Sequence, residues 1–271
     1  MSEYQATALK THIPQHRARK RFGQNFLRDP SIIDGLERAI NPQATDRIVE
    51  IGPGLGALTR VLLDTGCRLD AIELDRDLTT PLLAAFSIYP GFTLHSADAL
   101  GFDYARLAVG GKRLRIVGNL PYNISTPLIF RLLETAGIVE DMHFMLQLEV
   151  VQRLTAEPGD RHWGRLGVMT QLSCRTEMLF EVPPEAFDPQ PKVQSAIVRL
   201  TPLAVPRVPL SERQQFERVV TTAFSQRRKT LRNTLKPLLS SDVITAAGVD
   251  PGRRAETLSI DEFISLTAQL P

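Results

Sequence analysis

Cysteine is scarce: Cys67 and Cys174 are the two present in 271 residues. Two thiols make no disulfide framework and no zinc site, and they read as reduced core thiols of a cytosolic protein. No apolar run approaches the roughly 20 residues that a membrane span needs. The amino terminus has no apolar signal-peptide core. Its basic residues hint weakly at organellar targeting, which Glu3 and the sparse serines oppose. An excess of either charge is also missing: 32 Lys and Arg stand against 30 Asp and Glu, a net +2. A nucleic-acid footprint must therefore be local rather than global. The chain has no internal repeat and no low-complexity tract, and no His/Cys/Asp cluster suggests a metal.

What is present is apolar enough, at 43%, to bury a sizeable core. The length suits one large and one small domain. Residues 1–21 read as a loose arm. Arg17, Arg19, Lys20 and Arg21 crowd its end without an acid, as a solvated tail first and an RNA contact second. Phe22-Gly23-Gln24-Asn25-Phe26-Leu27 then places two aromatics around polar amides and could fold over a cofactor as a lid. Asp29-Pro30 opens a helix over 31–40.

Four strand ends carry the polar residues. Residues 47–51 form a strand that runs into Gly52-Pro53-Gly54-Leu55-Gly56, with a helix following to about 64. Strand, glycine loop and helix together are the context of a nucleotide cofactor, because glycine lets the backbone approach a ligand and a helix start welcomes an anionic group. The spacing is G-x-G-x-G; with Ala57 next, an alanine-variant dinucleotide loop and a plain tight turn both remain open. A strand over 68–72 ends at Glu73, placed to bind ribose hydroxyls; the alternative, a helix-start carboxylate, suits Asp75 and Asp77 better. A third strand, 92–95, leads to Asp98, which can accept a hydrogen bond from an adenine amine. A fourth, 114–117, leads to Asn119-Leu120-Pro121-Tyr122. There the Asn oxygen and a nearby carbonyl can accept both hydrogens of an exocyclic amine, and Tyr122 offers a face for stacking. An ordinary capped turn is the plainer alternative. Helices over 76–86 and 125–136 separate some of these strands, and parallel strands bring their carboxyl ends onto one rim.

A fifth strand is expected over 142–148, helices over 150–155 and 166–172, and a terminal strand pair over 177–182 and 193–200. Between the last two, a proline-stiffened loop from Pro183 to Lys192 holds Phe187 either exposed in a fixed pose or packed beneath the loop, the commoner fate of Phe. Pro202, Pro206 and Pro209 punctuate a linker. Helices are expected over 211–224, 227–239, 242–247 and 259–269, with Ser211 and Ser259 as N-caps. Arg227, Arg228, Lys229, Arg232 and Lys236 form an acid-free run on the second of them. Phosphate contact is the favoured reading and a wet surface the other.

Phe22–Leu27, Glu50-Ile-Gly-Pro-Gly-Leu-Gly56, Asn119-Leu-Pro-Tyr-Asn-Ile-Ser125, Phe187-x-Pro-x-Pro-Lys-Val193 and Gln226-Arg-Arg-Lys-Thr-Leu-Arg-Asn233 together resemble the KsgA-type small-subunit (16S) rRNA adenine dimethyltransferases. The resemblance runs from about Arg21 to the last helix, with the motifs in order and none altered. It implies an α/β fold: a Rossmann-like class I methyltransferase sheet over 1–203, including the lid, and a small all-helical RNA- or ribosome-contacting domain over 204–271. S-adenosylmethionine is then the methyl donor. Asn25 and Leu27 would touch it from the lid, Gly52 would border its methionine part, Glu73 its ribose and Asp98 its adenine, and Asn119 both donor and target. The implied reaction places two methyl groups on N6 of each of two adjacent adenosines near the 3′ end of 16S rRNA, late in small-subunit assembly.

The residues suit that chemistry. An adenine amine is a poor nucleophile whose lone pair is delocalised, so it needs orientation more than a strong base. Hydrogen bonds to Asn119 and the Leu120 carbonyl would favour a pyramidal nitrogen, while Tyr122, with Phe187 as a second face, would sandwich the splayed base. Another rRNA or DNA adenine-N6 methyltransferase is the nearest alternative. An NAD-dependent oxidoreductase on the same fold and a catalytically silent ribosome-assembly factor stand further off. A monomer in the cytoplasm, with the small subunit as partner and neither metal nor membrane, completes the expectation.

Overall fold

The computed structural model of the chain describes Arg19 and residues 24–270. The rest of the basic arm, with Arg17, Lys20 and Arg21, and Phe22 and Gly23 of the lid motif lie outside the described residues. The chain enters through β1 (Phe26–Leu27) and α1 (Pro30–Ile40). Asp29 caps α1 by accepting from the Ser31 amide, Pro30 opens it, and Asn41 ends it in a left-handed conformation, a start and stop legible in sequence.

Five parallel strands follow: β2 (Arg47–Ile51), β3 (Arg68–Glu73), β4 (Phe92–Ser96), β5 (Leu114–Asn119) and β6 (Val139–Gln147). Helices α2 (Ala57–Asp64), α3 (Arg76–Phe86) and α4 (Ser125–Glu134) cross between them. Then α5 (Leu148–Thr155) and α6 (Arg165–Gln171) lead to β7 (Cys174–Val182), the short β8 (Phe187–Asp188) and β9 (Ser195–Pro202). The sheet order is β4-β3-β2-β5-β6-β9-β7. β9 lies antiparallel between β6 and β7, so it alone runs against the others and brings its amino end to their carboxyl rim. The order reverses between β2 and β5, and a crevice at such a switch point is where open α/β sheets bind ligands.

Both faces of the sheet are covered, which explains strands read as apolar runs rather than alternations. One core packs Ile116, Leu128, Leu132, Phe144 and Val198; the other packs Ile48, Leu62, Leu82, Phe86, Val117 and Ile197. A third core belongs to α7 (Arg213–Ala223), α8 (Leu231–Thr234), α9 (Ser241–Ala246) and α10 (Ile260–Thr267). It also takes in Trp163, Val168 and Met169, and the Trp163 indole donates to the Leu258 carbonyl at 2.9 Å. The helical part is thus built against α6 across the expected 203/204 division.

Four expectations need correcting. The fifth strand begins at Val139 and the strand expected over 177–182 at Cys174, each three residues early. Ser211 is not a cap: Glu212 holds that position after a short 3-10 turn, whereas Ser259 does cap α10 in a reciprocal pair with Glu262. The basic helix over 227–239 does not form. Only Leu231–Thr234 is α-helical, and Arg227, Arg228 and Lys229 sit in the turn before it. The physical reason is that these residues offer nothing apolar to bury. Helix formation starts where Leu231 and Leu235 enter the core, and the Leu231 and Arg232 amides are taken by the carbonyls of Arg253 and Pro251.

Candidate active site at the strand rim

Where β2 ends, Gly52 adopts φ 68° while its amide donates to the Ile72 carbonyl at 2.9 Å. Only glycine takes that conformation without strain. Across the switch point, β5 approaches closely: a Cβ on Gly118 would stand 2.5 Å from the Ile51 carbonyl oxygen. A cleft opens above this junction. Asn25, Leu27, Gly52, Glu73, Asp98, Asn119, Leu120 and Tyr122 all line it, so eight expected site residues, drawn from five separate stretches of sequence, meet in one place.

Glu73 ends β3 with 6% of its surface exposed. Its carboxylate accepts from the Asp75 amide at 2.8 Å and the Gly54 amide at 3.4 Å, tying the glycine loop to the next strand. Desolvation raises its pKa, against those backbone hydrogen bonds. Asp98 is exposed, lines the cleft and uses one oxygen to accept from the Leu100 amide at 2.9 Å.

At the end of β5, the Asn119 side-chain nitrogen donates to the Asn25 carbonyl at 2.8 Å. A carbonyl only accepts, so the amide orientation is determined and Oδ1 is turned from the lid. Among the described residues, neither Asn119 Oδ1 nor the Leu120 carbonyl accepts a hydrogen bond. Tyr122 is half-buried, its hydroxyl 2.8 Å from Ser195 Oγ; burial is the main cause of its raised pKa.

The lid is stitched down on two sides. β1 pairs antiparallel with β8, Leu27 opposite Phe187, and the Arg28 amide donates to the Ala186 carbonyl at 2.8 Å. Gln24 donates to Asp75 at 2.9 Å and accepts from the Arg19 amide at 2.8 Å. Arg19, expected without an acid, pairs with Asp75 at 3.2 Å and with Asp77.

Phe187 is a correction. It is 3% exposed and packs in the core beneath the loop, so the exposed pose is absent and the ring offers no face to a base. A large apolar side chain beside Val182, Ala186 and Leu27 gains more from burial than from solvent. Arg227, Arg228, Lys229 and Arg232 lie apart from the cleft, exposed on the helical part. Arg227 is not without an acid: its Nε is 3.1 Å from Glu256 Oε2.

Several residues of the cleft escaped the sequence reading. Glu50, at the end of β2, is 2% exposed and accepts from the Thr59 hydroxyl at 2.7 Å. Burial pushes its pKa up to about 7, the Thr59 hydrogen bond opposing and Glu73 adding to the rise. Its position just before the glycine loop was the available signal. Leu74, 48% exposed, adds an apolar wall. Ser195 does not itself line the cleft but lies buried behind Tyr122; it gave no signal, because its partner lies 73 residues away.

A seven-stranded sheet with one reversed strand next to its edge, and a glycine-loop cleft at its switch point, defines a class I methyltransferase. The family model described as Ribosomal RNA adenine dimethylase matches residues 15–270; the chain belongs to that family and is an rRNA adenine dimethyltransferase. It is 60% identical over 260 residues to "Ribosomal RNA small subunit methyltransferase A" of Pseudomonas aeruginosa, covering 96% of this chain and 97% of the relative. The protein of the same name from Chromohalobacter salexigens is 55% identical, with 96% and 94% covered. Among solved structures, the 23S rRNA methyltransferase ErmE superposes with a TM-score of 0.73 at 28% identity, over 91% of this chain and 99% of that one. A dimethyladenosine transferase from Plasmodium falciparum has a TM-score of 0.77 at 24% identity, over 89% and 95%, and supports the fold.

Proposed function

We propose that this enzyme uses S-adenosylmethionine to dimethylate N6 of two adjacent adenosines near the 3′ end of 16S rRNA, on small subunits late in assembly. The observation that carries the reading is the pair of open acceptors, Asn119 Oδ1 and the Leu120 carbonyl, at the rim of the cleft. The small-subunit target rests on the names of the 55–60% identical relatives. The expected work site is with ribosomes in the cytoplasm, as a monomer. No helix of the described residues is long and apolar enough to cross a membrane.

The donor's fit follows from the charge of the cleft. Glu50 and Glu73 are both buried there, and among the described residues neither is ion-paired. Buried acids without a cation favour a positively charged ligand. S-adenosylmethionine supplies an electrophilic methyl group on a sulfonium when bound. Gly52 and its loop leave backbone room for the methionine part, Glu73 receives the ribose hydroxyls, and the free oxygen of Asp98 accepts from the donor's adenine amine. Asn25 and Leu27 close the cleft from the lid and exclude water.

On the target side, Asn119 Oδ1 and the Leu120 carbonyl hold the two amine hydrogens. That turns the nitrogen lone pair out of conjugation and aims it into the cleft. Because the Asn119 nitrogen is anchored to Asn25, lid closure and amine orientation share one side chain. Tyr122 provides the stacking face. Residues 204–271, with Arg228, Lys229 and Arg232 exposed, act as the RNA- and ribosome-contacting domain, and residues 1–203 as the catalytic one.

The test combines purified protein, labelled donor and immature small subunits from an unmethylated strain. N6,N6-dimethyladenosine at two adjacent positions is expected. Label in large-subunit RNA or DNA, with the small subunits left unmodified, would refute the reading.

A further inference from the structure

The Tyr122 ring has its hydroxyl tied to a rigid element that no sequence motif announces. Tyr122 lies in the turn after β5, which the Ile124 amide closes by donating to the Pro121 carbonyl at 3.1 Å. The backbone is therefore set, and the side-chain torsions alone decide where the ring faces. Ser195 is the first residue of β9, fully buried and paired on both sides, opposite Gln147 of β6 and Val182 of β7. Because β9 alone runs against the sheet, its amino end stands on the same rim as the cleft. In the order β5-β6-β9, the 2.8 Å contact between Tyr122 Oη and Ser195 Oγ spans the carboxyl end of β6.

We propose that Ser195 is a positioning residue for methyl transfer: its hydroxyl tethers Tyr122 across the end of β6 so that the ring stands ready for the target base. The inference rests on the stacking role given to Tyr122 above. It assigns the phenol a task distinct from the ring's. The hydroxyl is a tether whose hydrogen-bonding capacity is directed at Ser195, while the ring face does the contacting. A preorganised ring spares the ordering of two torsions when the base arrives.

The experiment measures single-turnover methylation of pre-bound immature small subunits at saturating donor. Ser195→Ala, Tyr122→Phe, the double variant and Tyr122→Ala are compared, with donor affinity by calorimetry alongside. Ser195→Ala and Tyr122→Phe should each slow the step roughly three- to tenfold, the loss of one ordinary hydrogen bond. The double variant should match either single one, because both cut the same tether. Donor affinity should hold, and Tyr122→Ala should be slower than all of these. A double variant showing the product of the two single effects overturns the tether. So do wild-type rates in Tyr122→Phe and Ser195→Ala beside a slow Tyr122→Ala, and that result leaves stacking intact. A wild-type rate in Tyr122→Ala overturns the stacking role itself. Should Ser195→Ala fail to fold, Tyr122→Phe decides alone: slowing at unchanged donor affinity supports the tether, and a wild-type rate rejects it.

Discussion

Glu50 has one hydroxyl for a partner and Glu73 adding like charge in a desolvated cleft. Its folded pKa of about 7 lies above the ordinary 4.5, so between those values the folded state holds more protons than the unfolded one. Stability then falls as pH rises through that window. Glu50→Gln, which keeps a partner for Thr59, should raise the melting temperature of the ligand-free enzyme at pH 8 and flatten its profile between about 4.5 and 7. Scanning calorimetry across that range checks it, and an unaltered slope would remove Glu50 as the source. Glu73 makes a different test, since it faces both the proposed ribose site and the Gly54 amide. Glu73→Ala should weaken donor binding by roughly 1.5–3 kcal/mol, the scale of charge-involving hydrogen bonds. Calorimetry returning the wild-type affinity would reject the assignment. For Asn119→Ala, loss of the amine acceptor should slow the single-turnover step at saturating donor by on the order of 10²–10³-fold, by analogy with other preorganised catalytic groups.

The lid is an element held by another element, and Phe187 is the hinge of that dependence. Its ring packs below β8, and β8 holds β1. Phe187→Ala should destabilise the protein by about 3–5 kcal/mol, the cost of emptying a buried aromatic site, and should weaken donor binding through the lid. Arg28→Ala should cost less than about 1 kcal/mol, because the Arg28–Asp188 pair at 2.8 Å joins two exposed side chains. Thermal melts separate the two, and a stable Phe187→Ala variant with a slow chemical step would restore the stacking face that burial denies. The contrast also shows what a sequence can disclose. Gly52, Glu73, Asp98 and Asn119 were legible because each sits at or just past a strand's end, and parallel pairing alone carries such positions to a common rim. The helix start at Asp29-Pro30 and the cap at Ser259 were legible because their partners lie two or three residues away. Phe187 and Ser195 were decided by partners far off in the chain, Leu27 and Tyr122, and no local pattern records those. The 227–239 helix was cut short by distant partners too: the Leu231 and Arg232 amides donate to the carbonyls of Arg253 and Pro251 instead of to the turn preceding them.

For the whole molecule, a net charge of +2 leaves no general field to draw RNA, so attraction must come from where charge is unbalanced. Several cations are already paired with acids. Arg115 is held between Asp46 and Asp141 at 2.7 and 2.8 Å, and Arg227 by Glu256. Among the described residues, Arg228, Lys229, Arg232 and Lys236 carry no ion pair, and all four are exposed on the helical part. Their lack of helical order does not weaken the electrostatic argument, because a turn presents charge to phosphate as well as a helix does. Each phosphate that a cation neutralises releases condensed counterions, so the logarithm of subunit affinity should fall with the logarithm of salt in proportion to the phosphates neutralised. Neutralising Arg228, Lys229 and Arg232 should lower small-subunit affinity and reduce that slope by about 0.7–0.9 for each phosphate left without its cation, with donor affinity unchanged. Neutralising Arg227 alone should change the slope less, since Glu256 already shares its charge. Binding measured across a salt series, with calorimetry of the donor as control, distinguishes the cases. An unchanged slope in the triple variant would make this face a solvated surface and move the RNA footprint elsewhere on the chain.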